Sequence, residues 1–164
     1  MSNGRVAICP GTYDPVTYGH LDIIARAANV FDRVLVGVVN QPTRKQQTVF
    51  SAEERMAFLQ EAVAAQANVE VEIFSILLVE FARQRGATAI VKGLRAISDF
   101  EYEFEMNQLN RKLAPEIESV YIISSPDYSF LSSTGVKEMA TFGADVSDLV
   151  PPGVAQALVE RLRR

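Results

Sequence analysis

Residues 11–20 of this chain read Gly11-Thr12-Tyr13-Asp14-Pro15-Val16-Thr17-Tyr18-Gly19-His20, and this stretch decides the fold. An apolar run at 6–9 precedes it and a helical pattern begins near Leu21, so the predicted order is strand, tight loop, helix N-terminus. Backbone N–H groups and the positive end of the helix dipole attract anions at such a junction. Gly19 lets a ligand approach the backbone closely. His20, the only histidine of the chain, is placed to donate a hydrogen bond to a phosphate oxygen.

Two common phosphate-binding motifs are missing from the sequence. Neither G-x-x-x-x-G-K-[ST] nor G-x-G-x-x-G occurs among the 164 residues. The chain therefore lacks both the Walker A loop and the dinucleotide-binding motif of Rossmann-fold proteins.

Composition narrows the class further. The chain is 48% hydrophobic and 22% charged, as in an ordinary soluble globular protein. The net charge of −4 argues against a broad nucleic-acid surface, and no apolar run is long enough to cross a membrane. The single cysteine, Cys9, lies in an apolar strand, so we expect a buried structural thiol and a cytoplasmic protein. An anionic ligand would have to be held by a local cluster of cations.

Strand and helix patterns alternate along the whole chain. Strands are predicted at 6–9, 34–39, 69–74, 88–91 and 119–124, and helices at 21–31, 51–66, 77–85, 98–113, 134–142 and 153–163. Five strands alternating with helices predict a Rossmann-like, doubly wound parallel sheet in a single domain over residues 1–164. In such folds ligands bind beyond the carboxyl ends of the strands.

Three more polar segments are predicted at that same edge. Arg44-Lys45 lies in the long loop after the second strand, Lys92-Gly93-Leu94-Arg95 follows the fourth, and residues 129–138 follow the fifth. Each has an alternative interpretation: solvated loop charges, ion pairs with Asp99, Glu101 or Glu103, and helix N-caps. His20 alone could be a hydrogen-bonded helix-terminal histidine. Convergence of all four segments on one rim of an acidic protein favours a polyphosphate site.

The run from Phe100 to Glu105 alternates aromatic and acidic residues. We predict a helix there, with the acids on a solvated face. No histidine accompanies them, so no protein metal site is predicted.

These motifs, in this order, resemble the phosphopantetheine adenylyltransferases, within the nucleotidyltransferase superfamily marked by (H/T)xGH. The superfamily motif is here Thr17-Tyr18-Gly19-His20. The family's second signature is similar to Lys92-Gly93-Leu94-Arg95 together with 99–103 (Asp-Phe-Glu-Tyr-Glu). Its third signature is similar to Ser132-Ser133-Thr134 together with 136–138 (Val-Lys-Glu).

The resemblance implies adenylyl transfer from ATP to 4′-phosphopantetheine, giving dephospho-coenzyme A and pyrophosphate. His20 would stabilise the transition state, Thr12 would orient the reacting oxygens, and Mg²⁺ would neutralise the departing pyrophosphate. The resemblance also implies a homohexamer and competition by coenzyme A, with no nucleic-acid or membrane partner.

Site residues are carried over from the family by position. The implied ATP-binding residues are Thr12, Tyr13, His20, Gly93, Leu94, Arg95, Glu103, Tyr128, Ser129, Phe130, Leu131, Ser132, Ser133 and Thr134. The implied phosphopantetheine-binding residues are Thr12, Arg44, Leu78 and Lys92. Arg44 stands where many members have lysine, so which of Arg44 and Lys45 contacts substrate stays open.

Two other functions compete with this one. The first is a related nucleotidyltransferase with another phosphate acceptor, such as nicotinamide mononucleotide or glycerol phosphate; the 93–103 block argues against it. The second is a non-catalytic nucleotide-binding regulator; the presence of Thr12, His20, Arg95 and Ser133 argues against that.

Overall fold

The computed structural model describes residues 4–42 and 47–163, apart from the side chains of residues 97 and 98. Strands and helices alternate as predicted. The elements are β1 (Val6–Gly11), α1 (Tyr18–Val30), β2 (Arg33–Val39), α2 (Ala52–Ala62), β3 (Val69–Phe74), α3 (Leu78–Gln84), β4 (Ala89–Leu94), α4 (Ile97–Leu113), β5 (Glu118–Ile123), α5 (Ser133–Thr141) and α6 (Pro152–Leu162), with a 3₁₀ turn at Pro126–Tyr128.

The five strands form one parallel sheet in the order β3-β2-β1-β4-β5. This confirms the doubly wound, Rossmann-like arrangement. β1 pairs with β2 over six residues, but with β4 only at Ala7–Ala89 and Ile8–Ile90. The order in which strands are added reverses here: β2 and β3 extend the sheet on one side of β1, and β4 and β5 extend it on the other. The carboxyl ends of β1 and β4 are not paired. A crevice therefore opens where such folds bind ligands.

Apolar side chains cover both faces of the sheet. In β1, Ala7 and Cys9 belong to a core cluster with α1, α2, α5 and α6, whereas Ile8 belongs to a second cluster with α3. This alternation is the two-residue period of a strand buried on both faces. Cys9 is 2% exposed, as predicted, and burial raises the pKa of its thiol to about 12. It is a packing residue rather than a nucleophile.

Local signals fix several helix ends. Ser51 and Glu54 form the predicted capping box at the start of α2, and glycines with positive φ follow α3 and α5 at Gly86 and Gly143. The predicted helix 51–66 is too long, because α2 ends at Ala62 and the chain turns before β3. Residues 100–105 lie within α4, which confirms the helix. Among the described helices, none is both long and apolar enough to span a membrane.

Candidate active site

A cavity of about 500 Å³ lies at the carboxyl edge of the sheet, where β1 and β4 diverge. Its size suits a ligand of nucleotide dimensions. The predicted residues that line it are Thr12, Tyr13, His20, Lys92, Gly93, Arg95, Glu103, Tyr128, Leu131, Ser132, Ser133 and Thr134. Three of the four predicted segments thus converge on one cavity.

Four predicted residues do not line this cavity. Leu94 is buried in β4, Leu78 packs against the core cluster around α3, Phe130 is exposed, and Ser129 lies beside it. Their assignment to ligand binding stays a prediction. Arg44, with Lys45 beside it, lies outside the described residues.

His20 closes the N-terminus of α1 as part of a capping box. Thr17 is the N-cap, and its hydroxyl accepts from the His20 backbone N–H at 3.3 Å. In return the Thr17 backbone N–H donates to His20 Nδ1 at 3.0 Å. A backbone N–H can only donate, so Nδ1 is the acceptor and the ring proton of the neutral imidazole lies on Nε2. The helix start at Tyr18, earlier than predicted, follows from this cap.

Tyr13 forms the wall beside the imidazole. The two rings meet edge to face at 5.0 Å, and the Tyr13 hydroxyl donates to the Cys9 carbonyl at 2.9 Å. Tyr13 has a φ of 53°, a conformation uncommon outside glycine. A Cβ on Gly11 would come within 2.9 Å of the Tyr13 ring. Glycine at position 11 therefore allows Tyr13 to take its place against His20.

The environment keeps His20 neutral. Burial, and secondly the positive charge of Arg95, lower the pKa of His20 from 6.5 to about 4. At neutral pH the side chain is therefore an uncharged donor through Nε2–H rather than an imidazolium.

The histidine signal should titrate near pH 4. Because His20 is the only histidine, the proton on its imidazole Cε1 gives one NMR resonance that can be followed with pH without ambiguity between histidines. The folded-state pKa lies below that of an unfolded chain. The neutral ring's contribution to stability is therefore present above pH 6.5 and is lost as the pH falls from 6.5 towards 4. A midpoint at or above 6.5 would contradict the neutral-donor assignment.

Two cation–carboxylate pairs line the cavity. Lys92 Nζ lies 3.1 Å from Glu103 Oε2, an ionic contact without hydrogen-bond geometry. Arg95 Nε donates to Asp99 at 3.1 Å, while its terminal NH1 donates to the Leu131 carbonyl at 2.8 Å. The ion-pair alternative is therefore correct for both cations, yet both also face the cavity. The carboxylates hold the two cations in place, and a phosphate entering the cavity would contact the same cations as the carboxylates do.

The hydroxyls at the start of α5 serve the fold. Ser132 is the N-cap and accepts from the Gly135 N–H at 3.1 Å, which confirms the capping alternative for this residue. Ser133 donates to the Pro15 carbonyl at 2.8 Å and so joins α5 to the loop after β1. Both residues line the cavity, so the positive end of this nine-residue helix lies in its wall.

No group of three or more His, Cys, Asp or Glu side chains within the described ranges could hold a metal ion. Both carboxylates discussed above, Asp99 and Glu103, are paired with cations. Among the described residues that line this cavity, the carboxylates therefore do not form a protein-held metal centre.

Sequence reasoning missed the network beneath the loop. Asp14 is 4% exposed and accepts from the backbone N–H groups of Val49 and Phe50 at 2.9 and 3.0 Å, and from Lys137 at 3.2 Å. Arg55 is also buried and donates to four backbone carbonyls. A charged residue at a helix start gives no sign of such distant partners.

The family model described as cytidylyltransferase-like matches residues 8–139, so the chain belongs to this class of nucleotidyltransferases. Two solved structures share the fold. A putative nicotinate-nucleotide adenylyltransferase from Vibrio parahaemolyticus aligns with a TM-score of 0.70 at 17% identity, over 95% of this chain and 92% of that one. A lipopolysaccharide core biosynthesis protein from Thermoplasma volcanium GSS1 aligns with a TM-score of 0.58 at 18% identity, over 74% of this chain and 98% of that one.

Curated relatives narrow the class to one family. Proteins named phosphopantetheine adenylyltransferase are 49% identical in Caldanaerobacter subterraneus subsp. tengcongensis (98% of this chain, 99% of the relative) and 51% in Heliobacterium modesticaldum (95% and 92%). A third, from Alkaliphilus metalliredigens, is 47% identical over 96% of this chain and 99% of its own. The chain belongs to the phosphopantetheine adenylyltransferase family.

Proposed function

We propose that this chain transfers the adenylyl group of ATP to 4′-phosphopantetheine, giving dephospho-coenzyme A and pyrophosphate in coenzyme A biosynthesis. The observation that carries the proposal is near-full-length identity of 47–51% to relatives named for this reaction. The cavity supports it, because His20, Lys92 and Arg95 meet at one edge of the sheet.

The chemistry needs no protein nucleophile. An oxygen of the phosphopantetheine phosphate attacks the α-phosphorus of ATP. The bond from that phosphorus to the oxygen bridging the α- and β-phosphates breaks, and pyrophosphate leaves with that oxygen. The attacking phosphate is already ionised near neutral pH, so no general base is required. Catalysis then rests on positioning and on stabilising the charge at the transferring phosphorus.

In this proposal His20 acts through Nε2–H on an oxygen of the α-phosphate. Its neutral state supports the role, because a neutral donor in a low-dielectric wall stabilises developing charge without having to gain or lose a proton. Thr12, the first residue after β1, would orient the attacking oxygen. Lys92 and Arg95, both at the carboxyl end of β4, would neutralise phosphate charge.

Magnesium enters the proposal with the nucleotide. Mg²⁺ bound to ATP would offset the charge of the departing pyrophosphate, and phosphate and water oxygens are its preferred ligands. The pairing of Asp99 and Glu103 with cations supports a metal held by the substrate rather than by the chain.

The acceptor is tested by pyrophosphate release. With magnesium and ATP, we expect rapid release with 4′-phosphopantetheine and much slower release with nicotinamide mononucleotide or glycerol phosphate. A His20→Ala preparation controls for contaminating activity. Equal or faster turnover with nicotinamide mononucleotide would contradict the assignment, and release with no acceptor would indicate simple hydrolysis.

We also propose a homohexamer, with coenzyme A as a competing inhibitor and a cytoplasmic location. Exposed apolar side chains on α4 support assembly, because contacts with further copies of the chain would remove them from water; they are Phe100, Phe104, Leu109 and Leu113. Light scattering should give six times the 18.1 kDa mass of the chain. An 18.1 kDa species at micromolar concentration would remove the assembly proposal.

A further inference from the structure

One buried guanidinium gathers four backbone carbonyls at the edge of the sheet that carries the cavity. Arg55, in the first turns of α2, is 1% exposed. Its NH1 donates to the carbonyls of Thr12 at 2.7 Å and Val39 at 2.8 Å. Its NH2 donates to Asn40 at 3.0 Å, and its Nε to Phe50 at 3.2 Å. Arg55 itself does not line the cavity.

These contacts join segments that are far apart in sequence. Thr12 directly follows β1, and Val39 ends β2, the strand that pairs with β1. A single NH1 group therefore bridges the ends of two neighbouring strands. Asn40 and Phe50 are tied to the same guanidinium, so the start of the β2–α2 connection and its return to α2 are fixed to the Thr12 loop.

Burying a guanidinium whose partners are uncharged carbonyls costs free energy, so packing alone does not explain an arginine at this position. Desolvation of a guanidinium costs several kcal/mol even after relaxation, and well-packed apolar residues are often as stable. The planar fork offers something that an apolar side chain cannot, namely several donors at fixed angles. Its contacts therefore point to a role in orientation.

The orientation matters most at the peptide between Thr12 and Tyr13. In a trans peptide the C=O and N–H point in opposite directions. Because the Thr12 carbonyl points to Arg55, the Tyr13 N–H points away from it, and both residues line the cavity. Within the described residues the Tyr13 N–H makes no hydrogen bond. It is therefore free to donate to an anion.

We propose that Arg55 is a positioning residue for the reaction: it turns the Thr12–Tyr13 peptide so that the Tyr13 N–H is presented to the transferring phosphate, and it fixes the β2–α2 connection to the same loop. The inference rests on the proposed function for its catalytic consequence. Its structural consequence can be measured without any substrate.

The test uses Arg55→Lys, which keeps the charge but replaces the fork with one nitrogen. We expect kcat to fall at least tenfold, while the Kd for ATP, measured without acceptor, changes less than threefold. Arg55→Gln is the second variant, because it removes the buried positive charge and keeps an amide donor; kcat should again fall at least tenfold while the Kd for ATP changes less than threefold. The matched control is Arg161→Lys: Arg161 is more exposed, donates to the Val49 carbonyl and lies over the Phe50 ring. Its kcat should stay near that of the unmodified chain.

Amide hydrogen exchange supplies the readout that needs no acceptor. The Asn40 N–H donates to the Phe74 carbonyl and the Phe50 N–H to Asp14, so both should exchange faster in Arg55→Lys. The Val34 N–H donates to the Asn68 carbonyl at the opposite, amino end of the sheet, and its exchange rate should not change.

A folded variant with unchanged kcat would overturn the proposal. So would unchanged exchange at Asn40 and Phe50, or failure of both variants to fold, which would make Arg55 structural. An unmodified chain that is inactive with phosphopantetheine would instead reject the proposed function and leave the exchange result standing.

Discussion

Replacing His20 with alanine is expected to lower kcat by about 10²- to 10³-fold, the scale of one removed oxyanion donor. The expected reason is that Nε2–H meets charge that develops only as the α-phosphorus is attacked. Such an interaction is stronger in the transition state than in the ground state, so its loss reduces kcat more than binding. Steady-state kinetics should show a KM for ATP that changes little.

Two further measurements separate catalysis from folding. His20 accepts the Thr17 N–H, so His20→Ala also removes half of a capping box and should cost about 1 kcal/mol of stability. Kinetics must be measured where thermal unfolding shows the variant to be folded. His20→Gln, which can still present an N–H, should recover part of kcat. A folded His20→Ala with near-normal kcat would show that the ring serves only the cap.

The convergence of segments was predictable because it follows from local patterns and topology. β-branched runs, a capping box and glycine stops define the elements, and parallel strands bring their carboxyl ends to one edge. The motif spacing at 17–20 also has a local explanation. Thr17 and His20 are N-cap and N3 of α1, so the backbone of one bonds the side chain of the other.

The buried charges were not predictable in the same way. Arg55 and Glu54 are adjacent, yet Glu54 caps its own helix while Arg55 reaches back 43 residues to Thr12. Lys92 and Arg95 illustrate the same limit. The sequence allowed each to form an ion pair or to face a ligand site, and in the structure each pairs with a carboxylate and also lines the cavity. Which partner a long side chain selects depends on tertiary packing that no local pattern encodes.

Replacing Asp14 with alanine should cause the largest loss of stability, about 3–5 kcal/mol, the range for breaking a buried ion pair from one side. Three donors would lose their acceptor at once: the backbone N–H groups of Val49 and Phe50, and the ammonium of Lys137. The Lys137 side chain is 22% exposed, so part of its charge is left in a poorly solvated place. Urea unfolding at fixed protein concentration measures the change.

The control is Asp145→Ala, since Asp145 is an exposed aspartate that also accepts a backbone N–H, from Ser147 at 2.9 Å. It should cost about 1 kcal/mol or less, because water replaces the lost acceptor. Lys137→Met should fall between the two, because it leaves the Asp14 carboxylate with both backbone donors. The double variant Asp14→Ala/Lys137→Met should lose less stability than the sum of the two single-variant losses, since the two residues share one contact. An Asp14→Ala loss no greater than that of Asp145→Ala would mean that the loop finds other acceptors, and that Asp14 does not hold the return of the β2–α2 connection against the loop of Thr12.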